Sequence, residues 1–243
     1  VPRLAAGVIL ASGAGTRVGG EVNKVYLPLA GRRVVGWSLA ALAQVADIGL
    51  LVLVIRPQDD ALAADVLADP GLVADLAGTP VEVVPGGASR QESELMALRH
   101  LATRIGTGAV DTVLIHDAAR PLVTPALAGA VLAAAREYGG AIPGLPRQDL
   151  VRVSDDGTEV ADADIGRLVA VQTPQGYPAA PLLAAYRRAA EDGFVGTDTA
   201  ACMARYSDLP TRCIPGDERN IKITYPYDVA IVERMLVAGS VAD

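Results

Sequence analysis

Aromatic residues are scarce in this 243-residue chain: 4%, with one Trp and one Phe. Val, Leu, Ile and Ala must therefore fill the core, and a hydrophobic content of 51% is ample for that. Cysteine and histidine are equally sparse. Cys202, Cys213, His100 and His116 have no metal-ligand spacing, which argues against a zinc site. Nothing forces a disulfide between the cysteines, so reduced thiols are the expectation. No apolar run reaches the roughly 18–20 residues that a membrane span needs; Gln44 and Asp47 interrupt the apolar-looking segment from Val34 to Ile55. The basic-then-apolar pattern of a secretory leader is missing from the start of the chain, and a cytoplasmic protein is expected. Positive charge is also in short supply. A formal net charge of −7 argues against bulk binding to nucleic acid or an anionic membrane. Any phosphate site must be a local gathering of cations.

One such gathering is present. The apolar run Val8-Ile-Leu10 reads as a buried strand, and Ala11-Ser-Gly-Ala-Gly15 follows it, with Arg17 and Lys24 on either side of Gly19-Gly20. A glycine loop leaving a strand can bring backbone N–H groups close to an anion. Backbone donors with two long cations suit a triphosphate. Two familiar loops are excluded. Gly15 and Gly20 have the spacing of a Walker A loop, but Glu21 stands where its Lys should be. Gly13 and Gly15 begin a dinucleotide fingerprint, but Val18 occupies the third glycine position. A turn with incidental charges remains the bland reading of the loop alone.

Strand and helix signals alternate along the first part of the chain. Strands are expected at 8–10, 48–55, 81–84 and 112–115, with helices at 35–45, 58–68, 89–100 and 125–138. The continuous apolar run Ile48–Ile55 suits a strand buried on both faces. The pattern predicts an α/β fold: a mostly parallel, twisted, Rossmann-like sheet with crossover helices on both faces. After Gly139 the rhythm changes. A Pro-interrupted extended stretch leads into a hairpin around Ser154-Asp-Asp-Gly-Thr158, which would project from the core as an arm at about 143–170. Helices return at 180–191 and 199–205, then a strand at 211–214 and a helix at 226–238. The whole chain reads as one domain carrying that arm.

Ligands on open α/β sheets bind beyond the carboxyl ends of the strands. His116-Asp-Ala-Ala-Arg-Pro121 falls there, and Asp117 can hold Mg²⁺, which takes one or two carboxylates and completes its shell with phosphate and water. Arg120 can face a second anion. His116 reads as a structural neighbour. Gly86-Gly-Ala-Ser-Arg-Gln-Glu-Ser93 is a second glycine turn opening a helix, with Ser89 and Glu92 as a capping box. Asn220-Ile-Lys-Ile-Thr224 is expected to put Lys222 on a short strand. Gly196-Thr-Asp-Thr199 can be an N-cap.

Taken together, in order and spacing, Leu-Ala-Ser-Gly-Ala-Gly-Thr-Arg, Asn-Lys, Gly-Gly-x-x-Arg-x-x-Ser, His-Asp-Ala-Ala-Arg-Pro, Gln-Thr-Pro-Gln, Thr-Asp and Asn-Ile-Lys-Ile-Thr resemble the 2-C-methyl-D-erythritol 4-phosphate cytidylyltransferase family over about residues 6–238. The resemblance implies transfer of CMP from CTP to a phosphorylated polyol. It implies that Ala11, Ser12, Gly13, Ala14, Gly15, Gly87, Ala88 and Ser93 hold CTP, and that Arg17 and Lys24 stabilise the α-phosphate. Asp117 would bind Mg²⁺ and Lys222 would orient the acceptor phosphate. Arg120, Thr173, Thr197 and Asp198 would line the acceptor site, and the arm would serve a homodimer.

This chain departs from the family pattern mainly on the acceptor side. Ser12 stands where the family has Ala, and Asn23 where it has Pro before Lys24. Ile165 occupies the position of the family's acceptor-phosphate Arg, and Leu150 that of a Thr. Arg167, or else Arg152, could substitute. Methylerythritol phosphate is the first-choice acceptor; ribitol 5-phosphate on the same fold is the alternative. A nucleotide sensor that has lost catalysis is an alternative of another class, which the retained Arg17, Lys24, Asp117 and Lys222 disfavour.

Overall fold

A computed structural model of the chain describes residues 4–13, 23–150, 152–153, 160–161 and 166–239. Ala14, Gly15, Arg17 and Ile165 lie outside them, as does the side chain of Arg152. The first half contains β1 (Leu4–Leu10), a ribbon of β2 (Pro28–Leu29) and β3 (Arg32–Arg33), α1 (Val34–Ala43), β4 (Ile48–Ile55), α2 (Asp60–Leu67), α3 (Pro70–Leu76), β5 (Val81–Pro85), α4 (Arg90–His100), α5 (Ala102–Gly106) and β6 (Val110–Asp117). The second half contains α6 (Pro125–Tyr138), β7 (Ala141–Arg147), β8 (Arg152–Val153), β9 (Val160–Ala161), β10 (Leu168–Val171), β11 (Gln175–Pro178), α7 (Ala179–Glu191), α8 (Thr199–Tyr206), β12 (Arg212–Pro215) and α9 (Pro226–Gly239).

Eight strands form one sheet, ordered β10-β7-β11-β6-β1-β4-β5 with β12 paired to β7. Strands β5, β4, β1 and β6 are parallel. Beyond β6 the sheet is mixed: β11 runs antiparallel to β6 and β7, and β10 antiparallel to β7. The mostly parallel sheet expected from the sequence is present, with an antiparallel flank. In the arm, β8 and β9 pair antiparallel, with Arg152 opposite Ala161. The expected turn between them lies outside the described residues.

Period-two alternation splits the strand residues between two cores. Ile9, Leu51, Leu53 and Ile55 face α1, α2, α3 and α6; Val8, Leu50, Val52 and Val54 face α4, α5, α7 and α8. Both faces are covered, which is why β4 reads as an unbroken apolar run. Each fully buried Leu contributes about 1.5–3 kcal/mol. A carboxylate at Leu53, wholly buried in mid-sheet, would break this layer. Helix α6 has both its signals: Thr124 caps it by accepting from the Leu127 N–H at 3.1 Å, and Gly139 ends it at φ +100°.

Register then fixes where a site can form. Leu10 of β1 is level with Val54 of β4 on one side and Asp117 of β6 on the other. Strand order reverses at β1, with β4 and β5 to one side and β6 to the other. A crevice at such a switch point is where open α/β sheets take ligands.

Two local expectations need correction. The helix expected from Gln58 begins instead at Asp60, after a single 3-10 turn over Pro57–Asp59. Lys222 is not on a strand. Its segment touches the frame through one backbone bond, from the Ile223 N–H to the Ala119 carbonyl at 2.8 Å, too little for a ladder.

Candidate active site

The loops after β1, β5 and β6 enclose a cleft of about 330 Å³ at the switch point. Ser12 and Gly13 form one wall; Gly87, Ala88 and Arg90 form another. Lys24, Asp117 and Lys222 also face it. Asp117 is brought there by the β1–β6 register, and the Ala118 N–H bonds the Leu10 carbonyl at 3.1 Å.

The glycine turn after β5 is bolted to the loop after β1. Ser12 donates to the Ser93 hydroxyl at 2.8 Å. Ser93 in turn donates to the Ser89 carbonyl at 2.8 Å and accepts from the Gly87 N–H at 3.2 Å. A Cβ on Gly86 would lie 2.7 Å from Ser12 Cβ, so glycine is required for this approach. Ser93, 1% exposed, sits behind the cleft wall. The cap of α4 is Ser89, accepting from the Glu92 N–H at 3.1 Å. Glu92 reaches back to the Ala88 N–H at 2.7 Å, one residue past the N-cap N–H that a capping box uses.

Asp117 is the electrostatic centre. Its Oδ2 pairs with Lys222 Nζ at 2.6 Å and its Oδ1 with Arg90 at 3.2 Å. Burial works to raise this carboxyl, but Arg90 and then Lys222 outweigh it and hold it well below the usual carboxylate range. Lys222 can reach it because Ile223 is sunk in a core with Leu29, Val34 and Val232, while Lys222 faces the other way. Beside Asp117, Thr173 accepts from the Asp117 N–H at 3.1 Å and donates to His116 Nδ1 at 3.1 Å. His116 then donates from Nε2 to the Arg120 carbonyl at 3.2 Å, the tautomer that gives each bond a proton. Burial lowers the imidazole to about 4. His116 is therefore neutral near pH 7 with both nitrogens committed, as a structural neighbour should be.

This geometry, a cleft that brings Lys24, Arg90 and Lys222 to the ionised Asp117 at a Rossmann-like switch point, has parallels. A family model described as 2-C-methyl-D-erythritol 4-phosphate cytidylyltransferase matches residues 5–238. A protein of that name from Cereibacter sphaeroides (strain KD131) is 42% identical over 235 residues, 97% of this chain and 98% of its own length. The chain belongs to the 2-C-methyl-D-erythritol 4-phosphate cytidylyltransferase family. Another such protein, from Synechococcus sp. (strain JA-3-3Ab), is 36% identical over 94% of this chain and 95% of its own length. The crystal structure of 2-C-methyl-D-erythritol 4-phosphate cytidylyltransferase from Thermus thermophilus superposes with a TM-score of 0.69 at 29% identity, covering 94% of this chain and 97% of that one. The 4-diphosphocytidyl-2C-methyl-D-erythritol synthase from Anaerococcus prevotii shares the fold, with a TM-score of 0.80 at 23% identity over 97% and 99% of the two chains. As a member of this family the protein is a CTP-dependent cytidylyltransferase of the methylerythritol phosphate route to isoprenoids.

The other residues that this cytidylyltransferase pattern singles out are not all at the cleft. Ala11 is buried at the end of β1, with its carbonyl turned to Asn23. Arg120 donates to the Asn220 carbonyl at 2.7 Å and the Val171 carbonyl at 3.3 Å; its buried Nε has no partner among the described residues. Asp198 caps α8 by accepting from the Ala201 N–H at 2.9 Å, and accepts from Gln175 at 2.9 Å through its other oxygen. Thr197 and Arg167 are exposed. The two thiols are free, Cys202 buried and Cys213 exposed.

Sequence reasoning missed a buried network behind the cleft. Arg90 pairs with Glu94 at 2.5 Å as well as with Asp117. Glu94, wholly buried, also accepts from Thr199 at 2.9 Å and from Tyr186. Burial raises the Glu94 carboxyl, against the pull of Arg90. The signal was available: Arg90 and Glu94 are four apart on a helix that opens at the glycine turn.

Proposed function

We propose that the cleft between β1 and β6 binds CTP and that its cations carry the transfer of CMP to 2-C-methyl-D-erythritol 4-phosphate. In this reading the backbone of 11–15 and of Gly87 and Ala88 receives the nucleotide, with Ser93 fixing the turn. The acceptor's phosphate is already anionic near pH 7 and supplies the nucleophile. Its oxygen bonds to the α-phosphorus while the bond to the β-phosphate oxygen breaks, and pyrophosphate leaves. The protein's part is positioning and charge neutralisation. Arg17 and Lys24 face the charge that builds on the α-phosphate, and Lys222 orients the incoming phosphate. The observation that carries this is the Lys222–Asp117–Arg90 cluster at the floor of the cleft, 2.6 and 3.2 Å apart. No protein base is needed, in keeping with a neutral, fully bonded His116.

Asp117 is the one carboxylate lining the cleft among the described residues. A single ionised carboxylate fits Mg²⁺, which takes its other ligands from phosphate and water. Bound there with the nucleotide, Mg²⁺ would neutralise the leaving pyrophosphate.

At the acceptor end, the unpartnered Nε of Arg120 and the exposed Thr197 and Arg167 are our candidates for direct contact. Thr173 and Asp198 contribute through what they hold. We read the chain as one domain whose arm, 143–170, reaches a second copy in a homodimer and brings Arg167 to the partner's site. A cytoplasmic setting completes the proposal, since both substrates are soluble phosphates. The test is pyrophosphate release from CTP and Mg²⁺ with a panel of acceptors. Turnover with methylerythritol phosphate is expected; turnover only with ribitol 5-phosphate, or CTP binding without release, would overturn the reading.

A further inference from the structure

Asn23 precedes Lys24 in the chain and is 2% exposed. Its side-chain amide donates twice, to the Ala11 carbonyl at 2.7 Å and to Asp59 Oδ2 at 3.1 Å. Both partners are acceptors, so the orientation of the amide is unambiguous. Its oxygen accepts from the Val25 N–H at 3.4 Å, capping the 3-10 turn Lys24–Tyr26.

Asp59 is itself 2% exposed and sits at the N-cap position of α2, yet it makes no cap bond there. Its oxygens instead accept from Arg56 Nε and Nη2, each at 2.7 Å, and from Asn23. A buried carboxylate left out of the helix beside it must be held by other partners. Here those partners tie the C-terminal end of β4, through Arg56, to the residue before Lys24. On the other side of Lys24, Val25 and Tyr26 are sunk in the core, 4% and 0% exposed.

We propose that Asn23, held by Asp59 and Arg56, is a positioning residue for Lys24. It ties the Lys24 backbone to the end of β1, so the ammonium enters the cleft from a fixed root before nucleotide arrives. Preorganisation of this kind matters because a misplacement of about 1 Å at a reacting centre can cost on the order of 10²-fold in rate. The proposal rests on reading Lys24 as a cation that stabilises the reacting α-phosphate.

The test is a double-mutant cycle on the full-length protein, read as kcat for pyrophosphate release at saturating CTP, acceptor and Mg²⁺, with Tm recorded for each variant. Lys24→Ala should lower kcat by about 10²–10³-fold. Asn23→Ala should lower it by about 10–100-fold. In the Lys24→Ala background, Asn23→Ala should add less than about 2-fold, because a root has no effect once its side chain is gone. Asn23→Ser serves if the alanine variant does not fold; its hydroxyl can keep the cap, but it is too short to hold both Ala11 and Asp59. A kcat equal to wild type in Asn23→Ala, or losses that multiply in the double variant, would overturn the proposal. Wild-type kcat in Lys24→Ala would instead remove the reading of Lys24 on which it stands.

Discussion

At the parallel end of the sheet, β1, β5 and β6 stop within a residue of one another, and their loops leave Ser12, Gly13, Gly87 and Lys24 on the wall of a cleft that Lys222 also lines. At the antiparallel end, Thr173 and Asp198 have spent their oxygens on the protein itself, and Arg120 two of its donors. Topology accounts for the difference. Parallel strands joined by crossovers present all their carboxyl ends on one edge, so their loops converge and can leave donors open. Antiparallel neighbours send their loops to opposite edges. The polar groups buried among β6, β10 and β11 must then satisfy one another, because an orphaned buried donor or acceptor costs about 1–3 kcal/mol. Polar residues of one motif set thus do two jobs: those at the parallel end face the cleft, and those at the antiparallel end bond the protein itself, Thr173 to the Asp117 N–H among them.

If that division is right, variants at the two ends fail in different ways. The largest effect belongs to the cleft. Lys222→Ala should lower kcat by about 10²–10³-fold with little change in Tm, measured by pyrophosphate release and thermal melting. Next comes Thr173→Val, which keeps the shape but orphans the Asp117 N–H. It should cost about 1–3 kcal/mol in urea unfolding, with activity falling because Asp117 shifts.

A pH experiment sharpens the comparison further. Burial takes His116 from its ordinary 6.5 to about 4, so between those values the unfolded chain binds a proton that the folded chain does not. This contribution to stability is complete above about 6.5 and is lost as pH falls toward 4. Between pH 7 and pH 5 the wild type should lose about 2 kcal/mol that a folded His116→Asn variant keeps. The smallest effect is at the α8 cap. Asp198→Ala should cost about 1 kcal/mol of stability and far less activity than Lys222→Ala. Loss of kcat comparable to that of Lys222→Ala would move Asp198 to the ligand side of the divide.

The same division marks what could be read from the sequence. Apolar runs announced β1, β4 and β6, and α6 was expected at 125–138, because the signals of these elements are local. The short β11 was not legible as a strand: Gln175–Pro178 carries a Gly and a Pro, and only its place between β6 and β7 makes it one. Helix α3 was legible and missed, for Asp69 caps it at 2.7 Å just before Pro70. Among the site residues, glycine turns and charges after strand ends were legible, and Ser12, Gly13, Lys24, Gly87, Ala88, Asp117 and Lys222 line one cleft at the ends of parallel strands. What a side chain would be spent on was legible only where its partner is local. The cap at Asp198 and the Arg90–Glu94 pair are local and could be read, but the bonds from Gln175 to Asp198 and from Arg90 to Asp117 join residues far apart in the chain.

Asp117 joins the two ends, held from the antiparallel flank and facing the cleft, so its charge is the most direct thing to remove. Steady-state pyrophosphate release from CTP, methylerythritol phosphate and Mg²⁺ should show Asp117→Asn slowed by about 10²–10³-fold in a protein that still melts cooperatively. Near wild-type turnover in that variant would contradict the account.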